Sequence, residues 1–141
     1  MFGGIQRRVV SLWFPRLSSE RVLRRCPLNG PFALTQKQSN TNRLYCLNTE
    51  ATHQGLHQGM SHSDALAFCL SLQTAPADLL QEQRFLQTLR RWATRYCPWV
   101  GIEGRDGLVL DISGSVHLFG DEEEMLSDMR ARLMRAGLSV Q

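Results

Sequence analysis

At 141 residues the chain is one domain's worth of sequence, and its 43% hydrophobic content suits a packed core. No apolar run is long enough to span a bilayer, and the opening MFGGIQRR has no apolar segment behind its charges, so nothing argues for export from the cytoplasm. The formal net charge of +3 hides an asymmetry: residues 1–60 carry eight positive and two negative side chains, residues 61–141 eight and eleven. A basic first half suits a surface that approaches phosphates, although a solvated face has the same composition.

Val9 to Phe14 is an apolar run with β-branched and aromatic residues, read as a buried strand that Pro15 ends. Ser18 or Ser19 can cap a short helix through Arg25, made basic by Arg16, Arg21, Arg24 and Arg25 and stopped at Cys26-Pro27. After a turn at Leu28–Pro31, Phe32 to Gln36 and Arg43 to Leu47 read as strands around a polar turn, Ser39–Asn42. Asn48 or Thr49 caps a helical turn that stops at Gly55. Ser61 caps the next helix, with Asp64 at its third position and Ala65, Leu66, Phe68 and Cys69 as its apolar side.

Asp78 to Tyr96 is the strongest helical segment, with Leu79, Leu86, Leu89, Ala93 and Tyr96 on one stripe. Val100 and Ile102 then lie on one strand, and Leu108 to Leu110 with Ile112 on a second. Gly104-Arg105-Asp106-Gly107 between them contains Asp-Gly, a strong hairpin signal. Leu108, Leu110 and Ile112 alternate onto one face and Asp111 onto the other, which leaves Asp106 at the hairpin tip, where a carboxylate could meet metal or solvent. Asp121 to Ala136 is the last helix. Its acidic start and basic end suit the helix dipole, its buried stripe is Leu126, Met129 and Leu133, and Gly137 closes it. Leu138-Ser139-Val140 starts another strand. With residues 16–75 set aside as an insertion, the order is strand, helix, strand, strand, helix, strand: an α+β, ferredoxin-like (βαββαβ) pattern.

The hairpin carries a resemblance. Leu110-Asp111-Ile112-Ser113, with Asp106 four residues before it, is similar to the second acidic motif of the Y-family (UmuC-like) translesion DNA polymerases. Arg8–Pro15, Arg91-Trp92-Ala93 and His117-Leu118-Phe119-Gly120 extend the likeness over nearly the whole chain, and toward the polymerase-like, inactive members found in bacterial mutagenesis cassettes. The resemblance implies a palm at 7–15 and 76–141 and a small fingers insertion at 16–75. The thumb and little-finger domains are absent, so the chain is expected to be a fragment, truncated where the palm sheet should still gain strands.

By that resemblance Asp106 stands at a catalytic Asp of the hairpin and Gly107 where the family keeps a Glu. Trp13 and Pro15 replace the two acidic positions of the first strand. Nucleotidyl transfer needs two divalent metals clamped by carboxylates, and one remaining carboxylate does not hold two magnesium ions. The triphosphate grip falls on Thr49 and Thr52, and the residue that screens the sugar on Ser18; none repeats the family's chemistry. No catalytic residue, cofactor or metal is therefore expected. Asp106 reads as a turn residue before Gly, and Trp13 as core that has filled the old metal position.

Weaker signals point the same way. His53 and His57 are four apart with Gly55 between them and read as a solvated loop. Cys26, Cys46, Cys69 and Cys97 form no CxxC pair and read as free buried thiols, and Trp92 and Trp99 as core.

The reading is an inactive, polymerase-like adaptor in DNA-damage tolerance, translesion synthesis and induced mutagenesis. The resemblance implies as partners DNA, the sliding clamp, a RecA-like accessory protein and an error-prone replicative-type polymerase, and no membrane. Arg16, Arg21, Arg24 and Arg25 are the DNA-contact candidates. Two rivals stand: a divergent nucleotidyltransferase that uses magnesium through Glu103 or Asp111, and a plain DNA-binding module.

Overall fold

The computed structural model describes residues 8–141; the opening segment, including Arg7 at the edge of the expected palm, lies outside the described residues. In chain order the elements are β1 (Val9–Trp13), α1 (Leu17–Arg25), β2 (Phe32–Gln38), β3 (Thr41–Leu47), α2 (Thr49–His53), α3 (His62–Phe68), β4 (Gln73–Pro76), α4 (Leu79–Ala93), β5 (Val100–Glu103), β6 (Gly107–Asp111) and α5 (Glu122–Arg135), with a 3₁₀ turn at Val116–Phe119. They form two compact units. One holds the chain up to Pro15 together with Leu80–Gln141, the other Arg16–Leu79.

In the first unit β6 lies between β1 and β5, antiparallel to both. The register places Leu12 against Leu108, Val10 against Leu110, and Trp13 against Gly107. On the other side of β1, Trp13 and Gln141 exchange backbone hydrogen bonds of 2.9 and 2.8 Å. The first strand therefore sits between the hairpin's second strand and the segment after the last helix, the split-βαβ arrangement of a ferredoxin-like sheet.

The alternation along these strands builds the core. Phe14, Leu108, Leu110 and Ile112 are fully buried, with Leu12 nearly so. Met125, Met129 and Leu133 of α5 are buried too, and Met129 and Leu133 share a small cavity with Val10 and Leu12. Asp121 starts α5 by accepting a bond from the Glu124 amide, and this satisfies one of the donors that a helix start leaves unpaired. Tyr96, just after α4, is buried and donates its hydroxyl to Asp128 of α5 at 2.6 Å.

In the second unit β2 lies between β3, antiparallel, and β4, parallel. Ser39 and Asn40 both take positive φ, as the two-residue turn joining β2 to β3 requires. The core gathers Ala33, Leu44, Leu47, Ala51, Leu56 and Ala65. Asn48 caps α2 by accepting from Ala51, and Ser61 caps α3 by accepting from Asp64, as the sequence signals.

Several expectations are corrected. Trp13 is not core: it is 48% exposed, because the strand's period of two turns Leu12 and Phe14 inward and Trp13 outward. Trp99 is 56% exposed, since it precedes β5 and lies over Gly101 on the sheet's outer side. Neither Ser18 nor Ser19 caps α1; the cap residue is Arg16, with no side-chain bond, and both serines are buried in the first turn. Cys26 is exposed, beyond the end of α1, and Cys46 is half-buried. Phe68 stands 65% exposed and Leu66 at the boundary of exposure, so α3 buries Ala65 instead of a broad stripe. Leu126 is half-buried, and Met125 takes the inward place. The strand β4 carries too few residues and too little alternation to be read from the sequence.

Candidate functional site

The tip of the β5–β6 hairpin and the end of β1 meet in one small constellation. The antiparallel register brings Trp13 beside Gly107, and the Phe14 amide donates to the backbone oxygen of Asp106 at 2.9 Å. With the backbone held there, the Trp13 indole Nε1–H donates to Asp106 Oδ2 at 3.1 Å. Three of the sequence-predicted positions, Trp13, Asp106 and Gly107, are thus brought together, on the outer side of the sheet.

The donor set does not fit a two-metal centre. Magnesium takes oxygen ligands in near-octahedral array. Trp13 presents a hydrogen-bond donor instead of an oxygen and uses it on Asp106, and Pro15 has no ligating side chain. Gly107 has no side chain, and the backbone has closed around it. A Cβ built there would lie 2.8 Å from the Glu103 carbonyl oxygen and 3.3 Å from that of Leu12. A larger residue at this position forces the hairpin to shift.

The substitute ligands fare no better. Asp111 pairs with Val9 at the other end of the strand pair, four residues from Gly107, or about 13 Å along a strand. Its Oδ1 accepts from the amide and hydroxyl of Ser113, at 3.1 and 2.6 Å. Among the described residues no group of three or more His, Cys, Asp or Glu is placed to hold a metal. His53 and His57 are exposed, and His62 Nε2 lies 3.3 Å from the Thr74 hydroxyl.

The remaining predicted positions belong to the second unit. Ser18 is buried in the first turn of α1. Thr49 and Thr52 are exposed on α2, and Thr52 returns its hydroxyl to the Asn48 carbonyl at 3.2 Å. Arg24 and Arg25 are exposed at the end of α1, whereas Arg16 and Arg21 are half-buried. The helix's cationic face is therefore carried chiefly by its last turn.

The groups with shifted ionisation lie elsewhere. Burial first, and then the bond to Asp128, pushes the Tyr96 phenol far above its usual range. The same bond, aided by Arg132, holds the Asp128 carboxyl below the usual carboxylate range. Burial raises the Cys97 thiol, which donates to the Trp99 carbonyl at 3.1 Å. The partners of these groups are structural, which argues for packing instead of chemistry there.

The sheet topology defines the class: a split-βαβ, ferredoxin-like α+β fold. The structure matches the insertion ternary complex of Dbh DNA polymerase with a TM-score of 0.81 over 94% of this chain, at 16% identity. It matches DinB from Sulfolobus solfataricus with a TM-score of 0.74, at 18% identity, again over 94%. The fold is that of the Y-family DNA polymerases. The chain belongs to the impB/mucB/samB family, whose sequence profile matches residues 17–140. Over 84 residues, 60% of this chain, it is 44% identical to Protein ImuB of Caulobacter vibrioides, in strains NA1000 / CB15N and ATCC 19089 / CIP 103742 / CB 15 alike. The matched stretch is 18% of those relatives' length, and the structural matches cover 40% of the solved chains.

Proposed function

We propose that this chain is a polymerase-like module of DNA-damage tolerance that has given up nucleotide transfer and serves as an adaptor in translesion synthesis and induced mutagenesis. The part built on the first sheet corresponds to a palm, and Arg16–Leu79 to a fingers insertion. The observation that carries the reading is the Trp13–Asp106 bond. The family's remaining metal-binding carboxylate is held by an indole standing where a second carboxylate would be. Closure of the backbone around Gly107 supports the same conclusion from the hairpin side. Kinship with the ImuB proteins supports the damage-tolerance setting, with a clamp, a RecA-like protein and an error-prone replicative-type polymerase as the partners such an adaptor would join.

Primer extension with magnesium is the decisive experiment. No template-directed incorporation is expected, and incorporation that Asp106→Ala abolishes overturns the proposal. DNA is the proposed ligand of α1. Binding there is independent of sequence and falls steeply with salt, because phosphate contacts release counterions. Replacing Arg24 and Arg25 together by Gln should flatten the salt dependence by about one contact per arginine removed. An unchanged slope argues against α1 as the contact.

A further inference from the structure

The loop between α1 and β2 holds a reactive pair. Of the asparagines at 29, 40, 42 and 48, only Asn29 is followed by glycine. Asn29 is exposed, and Gly30 takes a φ of +98° with nothing within 4 Å of where a Cβ would stand. Among the described residues no hydrogen bond engages the Asn29 side chain or the Gly30 N–H. The anchors begin just downstream. The Gly30 carbonyl accepts from Asn48 Nδ2 at 3.0 Å, the Pro31 carbonyl from the Gln73 amide at 3.0 Å, and Asn48 Oδ1 from the Phe32 amide at 3.0 Å. The nitrogen that follows Asn29 therefore has no side chain beside it and no bond to give up.

We propose that Asn29 is a self-modification site, where the chain converts this asparagine to aspartate and isoaspartate without an enzyme. The Gly30 nitrogen gives its proton to hydroxide and attacks Asn29 Cγ. The N–Cγ bond forms, the Cγ–Nδ2 bond breaks, and ammonia leaves with a proton taken back from water, closing a five-membered imide. Water then opens one of the two imide C–N bonds. Opening at Cγ leaves aspartate; opening at the main-chain carbonyl leaves isoaspartate, with one more carbon in the main chain. Nothing is oxidised or reduced. The added carbon enters upstream of the Asn48 anchors, so the start of β2 keeps its bonds. Either product lowers the formal net charge of +3 by one and places a carboxylate four residues beyond Arg25. The other candidates are closed. Asn48 spends its side chain on Gly30, Phe32 and Ala51. Asn40 and Asn42 precede Thr41 and Arg43, whose side chains crowd the attacking nitrogen. Asp106-Gly107 has the same ring chemistry with water as leaving group, but its carboxylate accepts the Trp13 indole and Gly107 is buried in β6.

The test is incubation of the full chain near neutral pH, sampled over days beside a fresh control, with tryptic digestion and mass spectrometry. Cleavage after Arg25, Lys37 and Arg43 puts Asn29 in the peptide 26–37, Asn40 and Asn42 in 38–43, and Asn48 in a third. The expected result is a gain of one mass unit in 26–37, at least about tenfold faster than in either other peptide. The product should resolve into two forms, one of which takes a methyl group from S-adenosylmethionine through an isoaspartate-specific methyltransferase. The rate should climb roughly tenfold from about pH 7 to about pH 8.5, because the attacking nitrogen must lose its proton. In the folded chain it should stay within about tenfold of the rate in guanidinium chloride, since nothing holds the pair. Asn29→Gln should abolish the acidic form that ion exchange resolves. Several outcomes overturn the proposal: a mass gain that appears first in another peptide, a single product without isoaspartate, a rate indifferent to pH, or a folded-state rate suppressed far below the denatured one.

Discussion

The two sides of one three-stranded sheet differ more than their sequences do. Leu12, Leu108 and Leu110 point one way and are covered by a core that includes Met129 and Leu133 of α5. Val9, Trp13 and Val109 alternate with them, are equally apolar, and stand wholly or partly in water. Ser11 and Asp111 mark the open side as the more polar one, but for Val9, Trp13 and Val109 residue type does not tell the sides apart; the helix packed on the other side does. The covered side carries the stability. The open side carries the Trp13–Asp106 bond, where little folding energy is at stake.

The largest expected effect breaks that contrast most sharply. Leu110→Ala should cost about 2–5 kcal/mol in denaturant unfolding, the range for emptying a buried leucine site, whereas its neighbour Val109→Ala should cost under about 1 kcal/mol. Similar costs would mean that the outer side is covered in solution. Next comes Gly107→Ala. The added Cβ meets backbone oxygens instead of a flexible side chain, so a loss of about 1–3 kcal/mol is expected although only one methyl is gained. A neutral result would show that the hairpin relaxes freely and that the tip could readmit a ligand.

Trp13→Phe removes the indole bond to Asp106 while keeping an aromatic ring. On an exposed site it should cost on the order of 0.5–1 kcal/mol. Trp13→Asp should restore no catalysis and, the site being exposed, should lower the melting temperature only slightly. A fall of many degrees would show that Trp13 is buried in solution.

The subtlest test uses pH. The Asp128 carboxyl is held low, so its contribution to stability is present above its unfolded pKa of about 4 and is lost as pH falls through the lower folded value. The Tyr96 phenol is held high, so its contribution is present below about pH 10 and is lost above it. Tyr96→Phe should flatten both limbs of a stability-versus-pH curve. An acid limb that keeps its slope would assign it to other carboxylates.

Much of this was legible in the sequence because it is local. Asp-Gly between alternating apolar runs specifies the hairpin, the spacing Ser61 to Asp64 specifies a helix start, and the leucines of α4 repeat at helical intervals. Strand β4 escaped because it is four residues long, ends in proline, and is held by parallel pairing with β2, a partner some forty residues away. The candidate site was half legible: the identities of Trp13, Asp106 and Gly107 are written in the chain, but the bond that ties Trp13 to Asp106 is not.

The sequence by itself determined the order of strands and helices apart from β4, and the side-chain chemistry present at the tip, since propensity, turn residues and capping act within a few neighbours. Only the tertiary structure decided which side of β1 is core. The run Val9–Phe14 is apolar throughout except for Ser11, so its period of two is hidden. The pairing of Leu12 with Leu108, together with the helix packed on that side, turned Leu12 inward and left Trp13 to the solvent.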